Sequence, residues 1–121
     1  MKVMVTGSSG FIGVHLVRTL VALGHSVLGV DTLCPKEDIE GLSFRECNIL
    51  NSARLRTILE EDSPDCVVHL AAKTDLEEKA DLHDHYDVNI TGVQNLVESI
   101  RDSASVKRCI YTSTQLVCPV G

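Results

Sequence analysis

The chain has 121 residues, enough for one modest hydrophobic core and too few for two. Its 44% apolar and 23% charged residues are ordinary globular proportions. A net charge of −6 with 3% aromatic residues and no Trp argues against a nucleic-acid surface, which needs clustered Lys and Arg or stacking rings.

Short runs rich in Val and Ile alternate along the chain with segments of helical period. The first strand is predicted at residues 2–6. A helix over 11–23 follows, with Ile12, Leu16, Leu20 and Leu23 as its apolar stripe and Gly24 as its stop. Strands are predicted next at 26–31 and, with a weaker pattern, at 42–46. Asn51 then caps a helix running to about Glu61, and a strand occupies 66–70. The third helix is expected from about Asp84 to Ile100, with Val88, Val93, Leu96, Val97 and Ile100 facing inward, and a last strand at 108–112. The main strand runs lack period-2 alternation, as strands covered by helices on both faces do. The pattern is therefore β-α-β-(α)-β-α-β-α-β, the bracketed helix falling between the second and third strands. Right-handed crossovers make this an α/β fold: a doubly wound parallel sheet in the order 3-2-1-4-5. No apolar stretch of about 18 residues is free of charge, so no membrane partner is expected, and no export signal is visible.

The sharpest motif is Thr6-Gly7-Ser8-Ser9-Gly10-Phe11-Ile12-Gly13, between the first strand and the first helix. Gly7 permits a tight turn. Gly10 removes a side chain where a pyrophosphate would approach the backbone, and Gly13 lets the helix pack closely. The helix N-terminus then offers free N–H groups and a positive dipole end to phosphates. Asp31 closes the second strand, near the spacing of about 20 residues expected of the acidic residue that binds an adenosine ribose. A carboxylate there accepts from both ribose hydroxyls and repels a 2′-phosphate. Thr32-Leu33-Cys34-Pro35 holds no Arg to compensate, and Lys36 is the one cation nearby. The cofactor expected is NAD in preference to NADP.

The spacing GxxGxxG resembles the extended short-chain dehydrogenase/reductases, the NAD-dependent epimerase and dehydratase family acting on nucleotide sugars, whose fold is of Rossmann type. Three further segments carry the likeness in the right order. His69-Leu70-Ala71-Ala72 resembles the family's HxAA. Tyr86-Asp87-Val88-Asn89-Ile90-Thr91-Gly92 with Asn95-Leu96 resembles N-x-x-G-T-x-N-L, and Ile110-Tyr111-Thr112-Ser113-Thr114 resembles V-Y-x-S-S/T. Residues 24–34, GHSVLGVDTLC, are most similar to the 4-epimerase branch. The resemblance implies that Gly7, Gly10, Phe11, Ile12 and Gly13 hold the pyrophosphate of NAD and that Asp31 and Thr32 hold the ribose. Asn48 and Ile49 stand where the family has an Asp and an aliphatic residue against adenine; an Asn oxygen still accepts from the adenine amino group, without the charge. Leu70, Ala71 and Ala72 flank the nicotinamide side, Asn89 fixes a turn beside the cofactor, and Thr112 is a further cofactor-binding residue. Thr114 matches the catalytic Ser/Thr that hydrogen-bonds the substrate's reacting oxygen, with Ser113 the alternative one position earlier.

The family's proton-transfer pair, Tyr-x-x-x-Lys, has no match. Tyr86 and Tyr111 are followed at that spacing by Ile90 and Gln115. The expectation is that residues 1–121 are the NAD-binding amino-terminal part of a longer enzyme, inactive alone, incomplete relative to the family fold and without the substrate lobe. The whole would oxidise and re-reduce a nucleotide sugar at C4, as a cytoplasmic homodimer. The alternative is a non-catalytic dinucleotide-binding or redox-sensing module.

The remaining polar features read as structural. Five cysteines, Cys34, Cys47, Cys66, Cys109 and Cys118, form no CxxC pair, which implies reduced thiols and neither a disulfide framework nor a zinc site. Cys118 stands where the family often has Tyr. On a helix His83 and His85 would point to different faces, so no shared metal is expected. The acidic run 75–87 reads as a solvated surface and His69 as a packed core histidine.

Overall fold

The computed structural model describes residues 1–72 and 87–113. Its elements are β1 (Lys2–Thr6), α1 (Phe11–Ala22), β2 (Ser26–Asp31), β3 (Leu42–Glu46), α2 (Ser52–Asp62), β4 (Cys66–His69), α3 (Asp87–Arg101) and β5 (Arg108–Tyr111). All strand pairings are parallel, and the sheet runs β3-β2-β1-β4-β5. β1 is central. Strands 2 and 3 are added on one side of it and strands 4 and 5 on the other, which puts a topological switch point at the carboxyl ends of β1 and β4.

Both sheet faces are covered, and for that reason the central strands are apolar throughout. Met4, Leu28, Val30 and Val67 pack with Leu55, Ile58, Leu59 and Leu96 of α2 and α3 on one face. Val3, Val5, Val27, Cys66 and Val68 pack with Val17 of α1 on the other. Burying a Val or Leu side chain of this kind contributes roughly 1.5–3 kcal/mol.

Three local expectations are corrected. Residues 32–41 carry no helix, so the bracketed helix is absent. Pro35 and the charged run Lys36-Glu37-Asp38 offer no apolar face for a helix to bury; instead Glu37 pairs with Arg18 of α1, and Ile39 alone tucks beneath. The inner stripe of α1 is Gly13 and Val17 flanked by Leu16, Leu20 and Val21, while Ile12 and Leu23 are exposed. On α3, Leu96 is buried as expected, yet Val97 is 45% exposed and the buried neighbours are Gly92 and Ser99. Val97 lies about 100° around the axis from Leu96, a step that carries it off the contact face. Ser99 is tolerated inside because its hydroxyl donates to the Asn95 carbonyl at 2.6 Å.

The helix ends follow the local chemistry. Gly24, at φ +87°, terminates α1 with its amide bonded to the Val21 carbonyl. The Asn51 side chain caps α2 by accepting from the Arg54 amide at 3.1 Å. β4 and β5 each end one residue before the expected limit. The expected start of α3 at Asp84, together with His83, His85, Cys118 and residues 75–86 of the acidic run, lies outside the described residues. Cys47 and Cys66 are buried, Cys109 is half-buried, Cys34 is exposed, and none of these four is in a disulfide.

Candidate functional site

The turn after β1 is built so that only glycine fits at two of its positions. Gly7 has φ +71°, its amide bonds the Val30 carbonyl at 2.9 Å, and an added Cβ would stand 2.7 Å from the Ala71 nitrogen. A Cβ on Gly13 would stand 2.1 Å from the Gly7 carbonyl oxygen, so α1 touches the turn backbone to backbone. Gly10 is the N-cap of α1 and supplies no capping side chain, and no acidic residue follows in the first turn. The first amides of the helix, at Phe11, Ile12 and Gly13, have no intrahelical acceptor and share the positive end of its dipole. The side chains of Phe11 and Ile12 themselves are exposed.

The end of β2 is tied to this turn. One oxygen of Asp31 accepts from the Ser9 amide at 3.0 Å and the other from the Leu33 amide at 3.2 Å. The Ser9 hydroxyl donates to the Leu33 carbonyl at 2.7 Å. Asp31 therefore sits half-buried, beside Thr32, at the rim of the cleft. The Cys47 amide bonds the Asp31 carbonyl at 3.0 Å, which draws the chain after β3 to the same place. Asn48 is exposed there, its side-chain oxygen accepting from the Leu50 amide at 3.0 Å. Ile49 is buried, and its carbonyl accepts from the Asn95 side chain of α3 at 3.0 Å.

The end of β4 forms the opposite wall. His69 is buried, and burial pushes its imidazole below its ordinary range, toward the neutral form. Leu70, Ala71 and Ala72 follow it along the cleft.

Gly7, Gly10, Asp31, Thr32, Asn48, Ile49, Leu70, Ala71 and Ala72 all line one cleft of about 400 Å³. Gly13 lies buried behind it. Asn89, in the first turn of α3, follows Val88, which lines the cleft. Thr112, expected to bind the cofactor, is not part of the lining: its hydroxyl is turned to the strand ends and donates to the His69 carbonyl at 2.9 Å. Ser113 is exposed at the end of the described chain, and Thr114 and Tyr86 lie outside the described residues. Burial raises the Tyr111 phenol and the Cys47 thiol, disfavouring their ionised forms. Sequence reasoning passed over Thr6, Ser9, Leu33, Cys47 and Val88. Ser9 had a legible signal, a side chain able to hydrogen-bond inside a glycine turn; Leu33, Cys47 and Val88 had none, because sheet register alone brings them to the cleft.

A doubly wound, Rossmann-like sheet with a glycine turn, a helix N-terminus and an acidic strand end at its switch point defines a dinucleotide-binding class of α/β domain. Residues 3–121 match the profile of the NAD dependent epimerase/dehydratase family, and the chain belongs to that family. It is 38% identical over 128 aligned positions to a UDP-glucose 4-epimerase of Klebsiella pneumoniae, covering 97% of this chain and 91% of that one. Among solved structures it resembles the UDP-glucose 4-epimerase of Brucella ovis in complex with NAD, with a TM-score of 0.87 and 29% identity over 98% of this chain. It also resembles the UDP-glucose-4-epimerase of Stenotrophomonas maltophila with bound NAD and formylated UDP-arabinopyranose, with a TM-score of 0.82 and 30% identity over 99% of this chain. The chain spans 37% and 40% of those two solved enzymes.

Proposed function

We propose that this chain is the NAD-binding part of a nucleotide-sugar epimerase or dehydratase. The observation that carries the reading is the convergence of the glycine turn, Asp31 and the Leu70–Ala72 wall on one cleft at the N-terminus of α1. The residues present fit the cofactor. A backbone without Cβ atoms at Gly7 and Gly10 admits a pyrophosphate close to the amides of Phe11, Ile12 and Gly13. Asp31 and Thr32 take the adenosine ribose, and the carboxylate, already fixed by two backbone amides, repels a 2′-phosphate. Asn48 and Ile49 bound the adenine end, Leu70, Ala71 and Ala72 bound the nicotinamide end, and Asn89 and Thr112 support the surrounding strand and helix ends.

Held by these residues, NAD would supply reversible hydride-acceptor chemistry. The chain's own contribution is to orient that chemistry and exclude water with the apolar wall of Leu70 and the two alanines. The proposed reaction is transient oxidation at the sugar C4, and Thr114 is the proposed hydrogen-bond donor to the reacting oxygen. The formylated UDP-arabinopyranose bound to the solved Stenotrophomonas maltophila relative supports a nucleotide sugar as substrate. Among the described residues no helix is long and apolar enough to cross a membrane, and a cytoplasmic homodimer is proposed for the complete enzyme.

One observation favours a second reading, a non-catalytic dinucleotide-binding module: these 121 residues contain no Tyr-x-x-x-Lys. The chain's short span of its solved relatives accounts for that absence equally well, and we hold to the first. Calorimetric titration tests the site. NAD binds and NADP binds more weakly; equal affinity for the two, or none for either, overturns the assignment.

A further inference from the structure

The Thr6 hydroxyl joins three groups at the switch point. It lies 2.6 Å from His69 Nδ1 and accepts from the amides of Leu70 and Ala71, each at 3.2 Å. Thr6 is wholly buried and His69 nearly so. A threonine hydroxyl has one proton and two lone pairs. Two amide donors occupy the lone pairs, so the proton goes to His69 Nδ1. That nitrogen is then an acceptor, and the neutral ring carries its proton on Nε2.

Both walls of the cleft meet this hydroxyl. The Ala71 amide it holds is the atom against which a Gly7 Cβ would collide, and Leu70 and Ala71 are lining residues. The amide of Leu70 also reaches the Thr6 carbonyl at 3.1 Å, whereas Ala71 is held through the hydroxyl. On the far side the His69 carbonyl receives the Thr112 hydroxyl at 2.9 Å. The ends of β1, β4 and β5 are thus joined by hydroxyl bonds beside the last backbone bonds between them, Leu70 to Thr6 and Thr112 to His69.

We propose that Thr6 and His69 are positioning residues: the Thr6 hydroxyl, oriented by a neutral His69, sets the Leu70–Ala71 wall at the spacing from Gly7 that the cofactor needs. This rests on the cofactor assignment above for its functional part, but not for its geometry. Neither Thr6 nor His69 lines the cleft; both act through the two amides.

The variants Thr6→Val and Thr6→Ser, made in the full 121-residue chain, test it. Thr6→Val keeps the shape and leaves the Ala71 amide unpaired. It is expected to lose about tenfold in NAD affinity, about one hydrogen bond's worth, while still unfolding cooperatively. Thr6→Ser restores the hydroxyl and most of the affinity. Nitrogen-15 spectra of His69 in the unmodified chain at neutral pH should show the Nε2–H tautomer, and the Ala71 amide should be protected from exchange. Wild-type affinity in a folded Thr6→Val chain, or an Nδ1–H or doubly protonated His69, overturns the proposal. If Thr6→Val fails to fold, the tautomer and the Ala71 exchange rate of the unmodified chain decide. Absent NAD binding by the unmodified chain would sink the cofactor assignment instead, and the same two measurements would still judge the geometry.

Discussion

Asp31 combines two duties. Its carboxylate braces Ser9 and Leu33 and, in the proposed function, selects between cofactors. Asp31→Ala should therefore narrow the NAD preference by about tenfold to a hundredfold, since hydrogen bonds to a charged group are worth about 1.5–3 kcal/mol. Parallel titrations with NAD and NADP measure it, and an unchanged ratio would remove Asp31 from the selectivity argument. Ser8 is the opposite case. Its hydroxyl is buried between the turn and Gly29 of β2 with no hydrogen-bond partner among the described residues. Ser8→Ala removes an unsatisfied group and should stabilise the chain by about 1 kcal/mol, read as a shift in the urea midpoint. His69 brings a pH dependence with a definite sign. Its folded-state value lies below the ordinary 6.5, so the unfolded chain binds the proton more readily. Its contribution is complete above about 6.5 and declines as pH falls toward the lowered folded value. Urea midpoints from pH 7.5 down to 5 should fall more steeply for the unmodified chain than for His69→Gln; parallel curves would refute that.

At the scale of the element, two glycines show how close packing places the cleft. Gly13 faces a carbonyl oxygen at the distance a Cβ would need, whereas Gly92 of α3 faces the side chain of Ile49, which a Cβ would approach to 2.5 Å. Backbone cannot yield and a side chain can. Gly92→Ala should cost about 1–3 kcal/mol for the displaced Ile49, partly offset by about 1 kcal/mol of helix propensity. Thermal melts measure the difference, and NAD affinity should fall with it because Ile49 lines the cleft.

At the scale of the whole molecule, β5 is the outer strand of the described sheet, and Ile110 and Tyr111 are 49% and 41% exposed there. No strand pairs with its outer edge among the described residues, and an apolar edge of that kind templates association. The 121-residue polypeptide should self-associate with rising concentration in light scattering, and Ile110→Lys should suppress this. Saturating NAD should raise its melting temperature, since a ligand bound to the folded state alone stabilises it by mass action. A monodisperse monomer across the concentration series would remove the edge argument.

The order of the strands, the caps at Asn51 and Gly24, the glycine turn and Asp31 could all be read from the residues, because each rests on local chemistry: turn geometry, capping or a run of apolar residues. The resemblance of four short motifs extended that reading to the family. What no local rule contains is which side of a helix meets the sheet when apolar residues occupy more than one side. Hence Val97 and Ile12 face outward while Gly92, Gly13 and Ser99 are buried. The hydrogen bonds of Ser9 and Thr6 were equally out of reach, since their partners lie more than 20 residues away in sequence. Parallel register is what brings Thr6 beside His69 and Asp31 beside Ser9; contacts across such separations exist only once the crossovers have closed.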